Sequence, residues 1–313
     1  MLLSQKDLQD LEKAKHLLES KSLAMKLTEA VGKPIDLAFE QLPSALRHAV
    51  AEASKTAIEK ATDLAIFTLD KKSRGKQPSK VLHRGLTFTT GFLGGFFGAS
   101  ALLIELPVTT TIMLRSMADI ARSQGEDLTN PEVRLACVEV FALGGRETSR
   151  EEAGIMGYLA IRKALEREVS KALEYIADRE ICSEGAPFLV RFIVAVAERF
   201  GIQVTEKVVA QLVPVIGAAG GASINWIFTT HYQNIAQGHF IIRRLERKYG
   251  RETVEEALLS LTGGRRASPI LDSPMTSKPP TIITHYSLPF SLTSCTQKDL
   301  ETTGINFLDS RQF

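Results

Sequence analysis

The segment GFLGGFFGASALLIELPVTTTIML, residues 91–114, joins a run of glycines to a single acid, Glu105, and a proline, Pro107. Glycines in such a run can cradle phosphate, but a P-loop needs Gly, four residues and then Gly-Lys-Ser or Gly-Lys-Thr, directly after a strand. No lysine follows here, and the βαβ setting of a dinucleotide site is missing as well. No nucleotide or other cofactor is therefore expected. Three readings fit Glu105: a catalytic acid, the partner of a buried cation, or a group at a membrane–water boundary; the pairing is favoured. His231 and His239 stand eight apart, whereas zinc ligands on one helix want a step of three or four, so capping, interface or hydrogen-bonding roles fit them better than a metal. Arg115, Asp119 and Arg122 follow at steps of four and three, which places them on one helix face as an ion-pair ladder.

Helices must position these residues, because helical signals dominate the chain. Residues 4–30 place Leu8, Leu11, Leu18 and Leu23 at helical spacing, and residues 35–69 are alanine-rich. Asn130 can cap a helix, Pro131 fits its first position and Glu132 suits its positive end, while Gly144-Gly145 ends it. Ser149 to Glu152 has the spacing of a capping box and predicts another helix start. No series of alternating strands is visible.

Two zones break the amphipathic pattern. Each is about twenty residues long without a charge, from Arg84 to Glu105 and from Lys207 to His231, a length that allows a membrane span. Their glycine, alanine and threonine content keeps the hydrophobicity modest. Gly94, Gly98, Ala99 and Ser100 share their spacing with Gly217, Gly221, Ala222 and Ser223. Gly91 and Gly95 form a smooth stripe with Ala99, and Gly217 and Gly221 form one that continues into Asn225. Gly91, Gly95, Gly98, Gly217, Gly221 and Asn225 are thus expected at a close helix crossing, inside a bilayer or a soluble core. Pro107 should end or kink the first helix just behind Glu105.

The charge balance excludes little: 24% of residues are charged, 44% apolar, and the net charge is +2. Basic residues cluster at 71–84, with six Lys or Arg and no acid, and at 239–251, with five against one Glu. Beside apolar zones such clusters suit anionic headgroups, or are simply solvated. Aromatic interleaving is sparse, so no nucleic acid is expected. Cys137, Cys182 and Cys295 form no metal or disulfide pattern, and no secretory signal is visible at the start, which points to a reducing, cytoplasmic setting.

The run ELPVTTTIMLRSMADIARSQGEDLTNPEVRLACVEVFALGG closely resembles the signature of the bacterial EcsC family, as does APFLVRFIVAVAERFGIQVTEKVVAQLVPVIGAAGGASINWIFTTHYQNIAQGHFIIRRLERKYG. The resemblance covers roughly residues 40 to 260. It implies a protein whose namesake is encoded beside an ABC transporter, and no catalytic residue carries over, because the family's activity is not established. The positions that match most distinctively are Glu105, Pro107, Arg115, Asp119, Glu139, Gly217, Gly221, Asn225, His239, Arg243 and Arg244.

The expectation is an all-α, multi-helix bundle with two central glycine-rich apolar helices, which a membrane-associated hairpin would also satisfy. Residues 1–39 would form an amphipathic helix, 40–262 the main domain, and 263–313 a disordered Pro/Ser/Thr-rich tail. Function points to a non-enzymatic protein, peripheral to the inner membrane, with a membrane surface or a membrane complex such as a transporter as partner. A soluble scaffold is the second reading, and a hydrolase using Glu105 the third. Oligomeric state is left open.

Overall fold

The computed structural model describes residues 3–35, 42–68, 99–144, 154–177, 186–212 and 217–262. All belong to one unit, Met1–Arg265. Gly91, Gly95 and Gly98, the basic cluster at 71–84, the helix start at Ser149 and the tail from residue 263 lie outside the described residues. The architecture is all-α. Nine helices are described: α1 (Gln5–Leu18), α2 (Leu23–Val31), α3 (Ser44–Thr68), α4 (Ala99–Ser123), α5 (Pro131–Leu143), α6 (Ile155–Ala177), α7 (Ala186–Gln211), α8 (Gly217–Tyr249) and α9 (Arg251–Leu261).

Local chemistry explains most of the helix ends. Ser4 and Ser22 cap α1 and α2 by accepting from the backbone N–H of Asp7 and Met25, each at 3.2 Å. Asn130 caps α5 by accepting from the Glu132 N–H at 2.9 Å, with Pro131 at the first position. Gly250, at φ +88°, makes the left-handed step between α8 and α9 that a side chain would resist. Gly144 ends α5 for another reason. Its φ is ordinary, but a Cβ there would lie 2.6 Å from Cε1 of Tyr232.

One expectation needs correction. Of the two outcomes expected at Pro107, an end or a kink, the end does not occur, because α4 runs through it from Ala99 to Ser123. A proline removes one intrahelical hydrogen bond, and packing of α4 between α3 and α8 holds the rest. Glu105 therefore sits inside a helix rather than at its end. Within the second apolar zone, Lys207–Gln211 completes α7 and Gly217 begins α8.

The spine is α8, 33 residues long and roughly 50 Å from end to end. Its side chains fix the direction of each neighbour. Asn225, Gln233 and Arg244 bond to Glu105, Ser116 and Gln124, so α4 runs parallel to it. Bonds from His239 to Tyr158 and from Glu246 to Arg162 make α6 parallel too. In contrast, α1 is antiparallel, with Asp7 against Lys248 and Asp10 against Arg244. The same holds for α5, with Glu132 on Arg243 and Gly144 on His231, and for α7, with Gln203 on Tyr232 and Lys207 near Phe228. The described part of the first apolar zone, on α4, and the part of the second that lies on α8 are therefore side by side and parallel.

Apolar side chains fill the space between these helices. Phe141, Phe200, Phe228 and Tyr232 meet where α5, α7 and α8 converge, with Phe141 and Phe200 centroids 5.0 Å apart and edge-on. Almost every residue of α5 is buried, as its lack of a polar face requires. The α1–α8 crossing is closest at Gly238, where a Cβ would come 2.8 Å from Leu18 Cγ and 3.1 Å from the Ala14 carbonyl oxygen. Backbone cannot yield as a side chain can, so Gly238→Ala is expected to cost about 1–3 kcal/mol. Urea unfolding followed by circular dichroism measures this as a lower midpoint with an unchanged slope.

Candidate functional site

Glu105 is held from two sides. Lys207, wholly buried on α7, donates to Glu105 Oε1 at 2.8 Å, and Asn225 Nδ2 on α8 donates to the same oxygen at 3.3 Å. The Lys207 ammonium also lies 5.3 Å from the Phe228 ring centroid, within cation–π reach. Desolvating both charges is costly, and only close geometry with further hydrogen bonds offsets it. Lys207 was not among the sequence candidates, although the spacing contained the signal. Phe192, Val196, Phe200 and Gln203 are buried at helical steps on α7, and Lys207 continues that buried face.

A second polar group lies between α5, α6 and α8. Tyr158 OH and His239 Nδ1 are 3.0 Å apart. Arg162 makes a bidentate pair with Glu246, at 2.6 and 2.9 Å, and its guanidinium lies 5.5 Å from the Tyr158 ring centroid. Burial pushes the Glu139 carboxyl up to about 7, against the opposing pull of Arg162 and Arg243. Burial holds His239 well below the usual histidine range, and the same two arginines add to this. His239 is thus neutral at pH 7, and its Nε2 is buried with no hydrogen-bond partner among the described residues. Glu139, His239 and Arg243, more than a hundred residues apart at their extremes, are brought to one place. Tyr158, Arg162 and Glu246 complete it, and no local motif marked them.

Tyr158 connects this group to a cleft of about 230 Å3 between the α1–α2 link, the end of α5, the start of α6, and the facing sides of α7 and α8. His231, Gln203, Glu206 and Ser22 line it. His231 Nε2 is 3.0 Å from the Gly144 carbonyl oxygen and so donates to it; Nδ1 then accepts from the Lys26 ammonium at 3.3 Å. Burial, with Lys26 adding, pushes the imidazole down to about 4. Both ring nitrogens are engaged. The two histidines thus serve different partners.

The remaining candidates are placed plainly. Arg115 is exposed, and Asp119 pairs with Arg122 at 2.8 Å. Gly217 opens α8 and Gly221 is buried within it. Arg243 reaches Glu126 and Glu132, each at 3.0 Å, and Arg244 reaches Asp10 at 2.7 Å. Arg247 pairs with Glu126, Lys248 with Asp7 and Arg251 with Glu166 and Glu255. The basic stretch 239–251 therefore faces carboxylates of its own chain, five cations in all.

These features define an all-helical protein organised on one long buried helix, with polar groups locked between helices. The chain belongs to the EcsC protein family, whose model matches residues 3–245. No curated protein and no solved structure matches it.

Two outcomes are expected. Lys207→Met leaves the Glu105 charge buried and uncompensated, and should cost about 3–5 kcal/mol, whereas adding Glu105→Gln should recover most of the loss; urea melts of the single and double variants measure both. The pH dependence should carry two opposed contributions. His231, depressed from 6.5 to about 4, supports the fold above 6.5 and loses that support as pH falls toward 4. Glu139, raised from 4.5 to about 7, favours the fold below 4.5 and loses that contribution as pH rises through 7. Glu139→Gln should accordingly flatten the decline between pH 5 and 8 in a series of thermal melts.

Proposed function

We propose that the chain is a non-enzymatic helical docking protein that sits on an anionic inner-membrane face, where it would serve a membrane complex such as a transporter. The observation that carries this reading is the bundle end around Glu105. Val108 on α4, Leu212 just beyond α7 and Trp226 on α8 lie within about a turn or so of Glu105, Lys207 and Asn225 along their own helices. All three are exposed, at 46%, 56% and 39%. Scattered singly, such residues are ordinary; around one buried ion pair they mark a site of contact. Tryptophan, with an apolar body and a polar N–H, suits the headgroup boundary.

No helix among the described residues is long and apolar enough to cross a membrane. The reading is therefore a peripheral contact through this end, without a span. It does not rely on the basic stretch 239–251, whose cations already face carboxylates. That same engagement favours the second reading, a soluble scaffold or adaptor whose apolar end meets protein instead of lipid. For Glu105, the bonds from Lys207 and Asn225 support a structural role over a hydrolytic one.

Trp226 is the one tryptophan of the chain, which makes the test direct. On adding vesicles rich in phosphatidylglycerol, its emission should shift to the blue, and the chain should float with the vesicles at physiological salt. Trp226→Ala and Leu212→Ser should each weaken partitioning by about five- to tenfold, in line with the apolar area removed. Unchanged emission, with all protein left at the bottom of the gradient, would sink the membrane reading and leave the scaffold.

A further inference from the structure

Helix α7 has two faces. Phe192, Val196 and Phe200 are buried against the core. On the outer side Val190, Val194, Glu198 and Ile202 follow at steps of four, with the half-buried Ala195, packed partly against the core, beside them, and Val190 is 55% exposed. This outer strip borders a groove of about 340 Å3, with Ala164 and Leu165 of α6 at its other wall. Four charges line the same groove: Arg191, Glu198 and Arg199 from α7, and Glu168 from α6.

Arg191 and Glu198 carry the argument. Neither makes an ion pair among the described residues, and α7 itself offers none. The positions three and four away from Arg191 are Phe188, Pro187, Val194 and Ala195; those from Glu198 are Ala195, Val194, Gly201 and Ile202. The two are seven residues apart on one helix side, about 10 Å along the axis, so they cannot reach each other. Arg191 rests over the Phe188 ring, 5.2 Å from its centroid. A cation and an anion thus flank a partly exposed apolar strip at a fixed spacing, with no ion-pair partner among the described residues.

We infer that this face binds a second copy of the same chain, α7 packing antiparallel against α7 about a twofold axis between Val194 and Ala195. A twofold contact must be self-complementary, and this register is. Arg191 meets the partner's Glu198, and Glu198 meets the partner's Arg191. Val194 meets the partner's Ala195 at the axis, and Val190 lies along the aliphatic stem of the partner's Arg199. The groove-lining charges balance, two of each sign, so two copies meet without net repulsion. This register satisfies both charges at once with the chain's own residues, and that self-complementarity is the argument for a second copy.

The proposal is independent of the membrane reading and is tested without lipid, on the full chain. Light scattering behind size exclusion should give twice the 34.3 kDa chain mass at tens of micromolar. Arg191→Glu places two like-charge contacts in the interface, and Glu198→Arg does the same. Each should raise the dimer dissociation constant by about tenfold or more. The double variant Arg191→Glu with Glu198→Arg restores both pairs in reverse and should return the dissociation constant to near the wild-type value. Ala195→Arg sets like charges against each other at the axis and should give a monomer. Arg191 and Glu198 are exposed in the single chain and Ala195 is half-buried at its surface, so circular dichroism should show unchanged helicity. A wild-type chain at monomer mass at about 100 µM, a double variant as weak as the singles, or a dimer that survives Ala195→Arg would each overturn the proposal.

Discussion

A helix enclosed along most of its length must satisfy its polar side chains inside the protein, and the rest of this fold follows from how α8 does so. Buried polar groups without partners cost free energy that a marginally stable chain cannot spare. Asn225 and Gln233 use α4, His231 uses α2 and the end of α5, His239 and Glu246 use α6, and Arg244 uses α1. Each bond is available at one register and direction only. Hydrophobic burial would hold these helices together in many arrangements, whereas this set of polar contacts picks out one. His239 Nε2, buried with no partner among the described residues, is an exception.

Three buried glutamates illustrate how different surroundings one residue type can have. Glu105 faces an ammonium at 2.8 Å, with an amide beside it. Glu139 has arginines nearby, yet desolvation outweighs them and favours its protonated form. Glu126, also buried, receives Arg243 and Arg247 together. The acid count of the sequence says nothing about this difference in partners. It arises from which cation-bearing helix passes each carboxyl.

Sequence reasoning reached the features that depend on neighbours in the chain. Asn130-Pro131-Glu132 announces a helix start because capping is a matter of three or four residues, and the structure places the cap there. The all-helical class follows likewise from periodicity. What was not legible depends on distant partners. The charges at 243–251 look free for headgroups until Asp7, Asp10, Glu126, Glu132 and Glu166 arrive from other helices. Pro107 obeys a local rule that tertiary packing overrides. Lys207 shows that an ion can be recognised as buried by its position on an apolar period.

The docking of α1 on α8 also governs when the chain can finish folding. Asp7 meets Lys248, and Ser4 meets Tyr249, across sequence separations of 241 and 245 residues. At translation rates of about 5–20 residues per second, α1 is made roughly 12–50 s before its partner residues exist. Throughout that interval Leu11 and Ala14, fully buried in the finished fold, lack the helix that covers them. The segment that must wait is QKDLQDLEKAKHLL, in which Gln, Lys, Asp, Glu and His separate most of the apolar residues from one another. Such a segment stays solvated alone far better than a continuous apolar run, which would seek other exposed surfaces. The polarity of the first helix is thus suited to a long delay, and the ribosome-bound intermediate is the state in which that matters most.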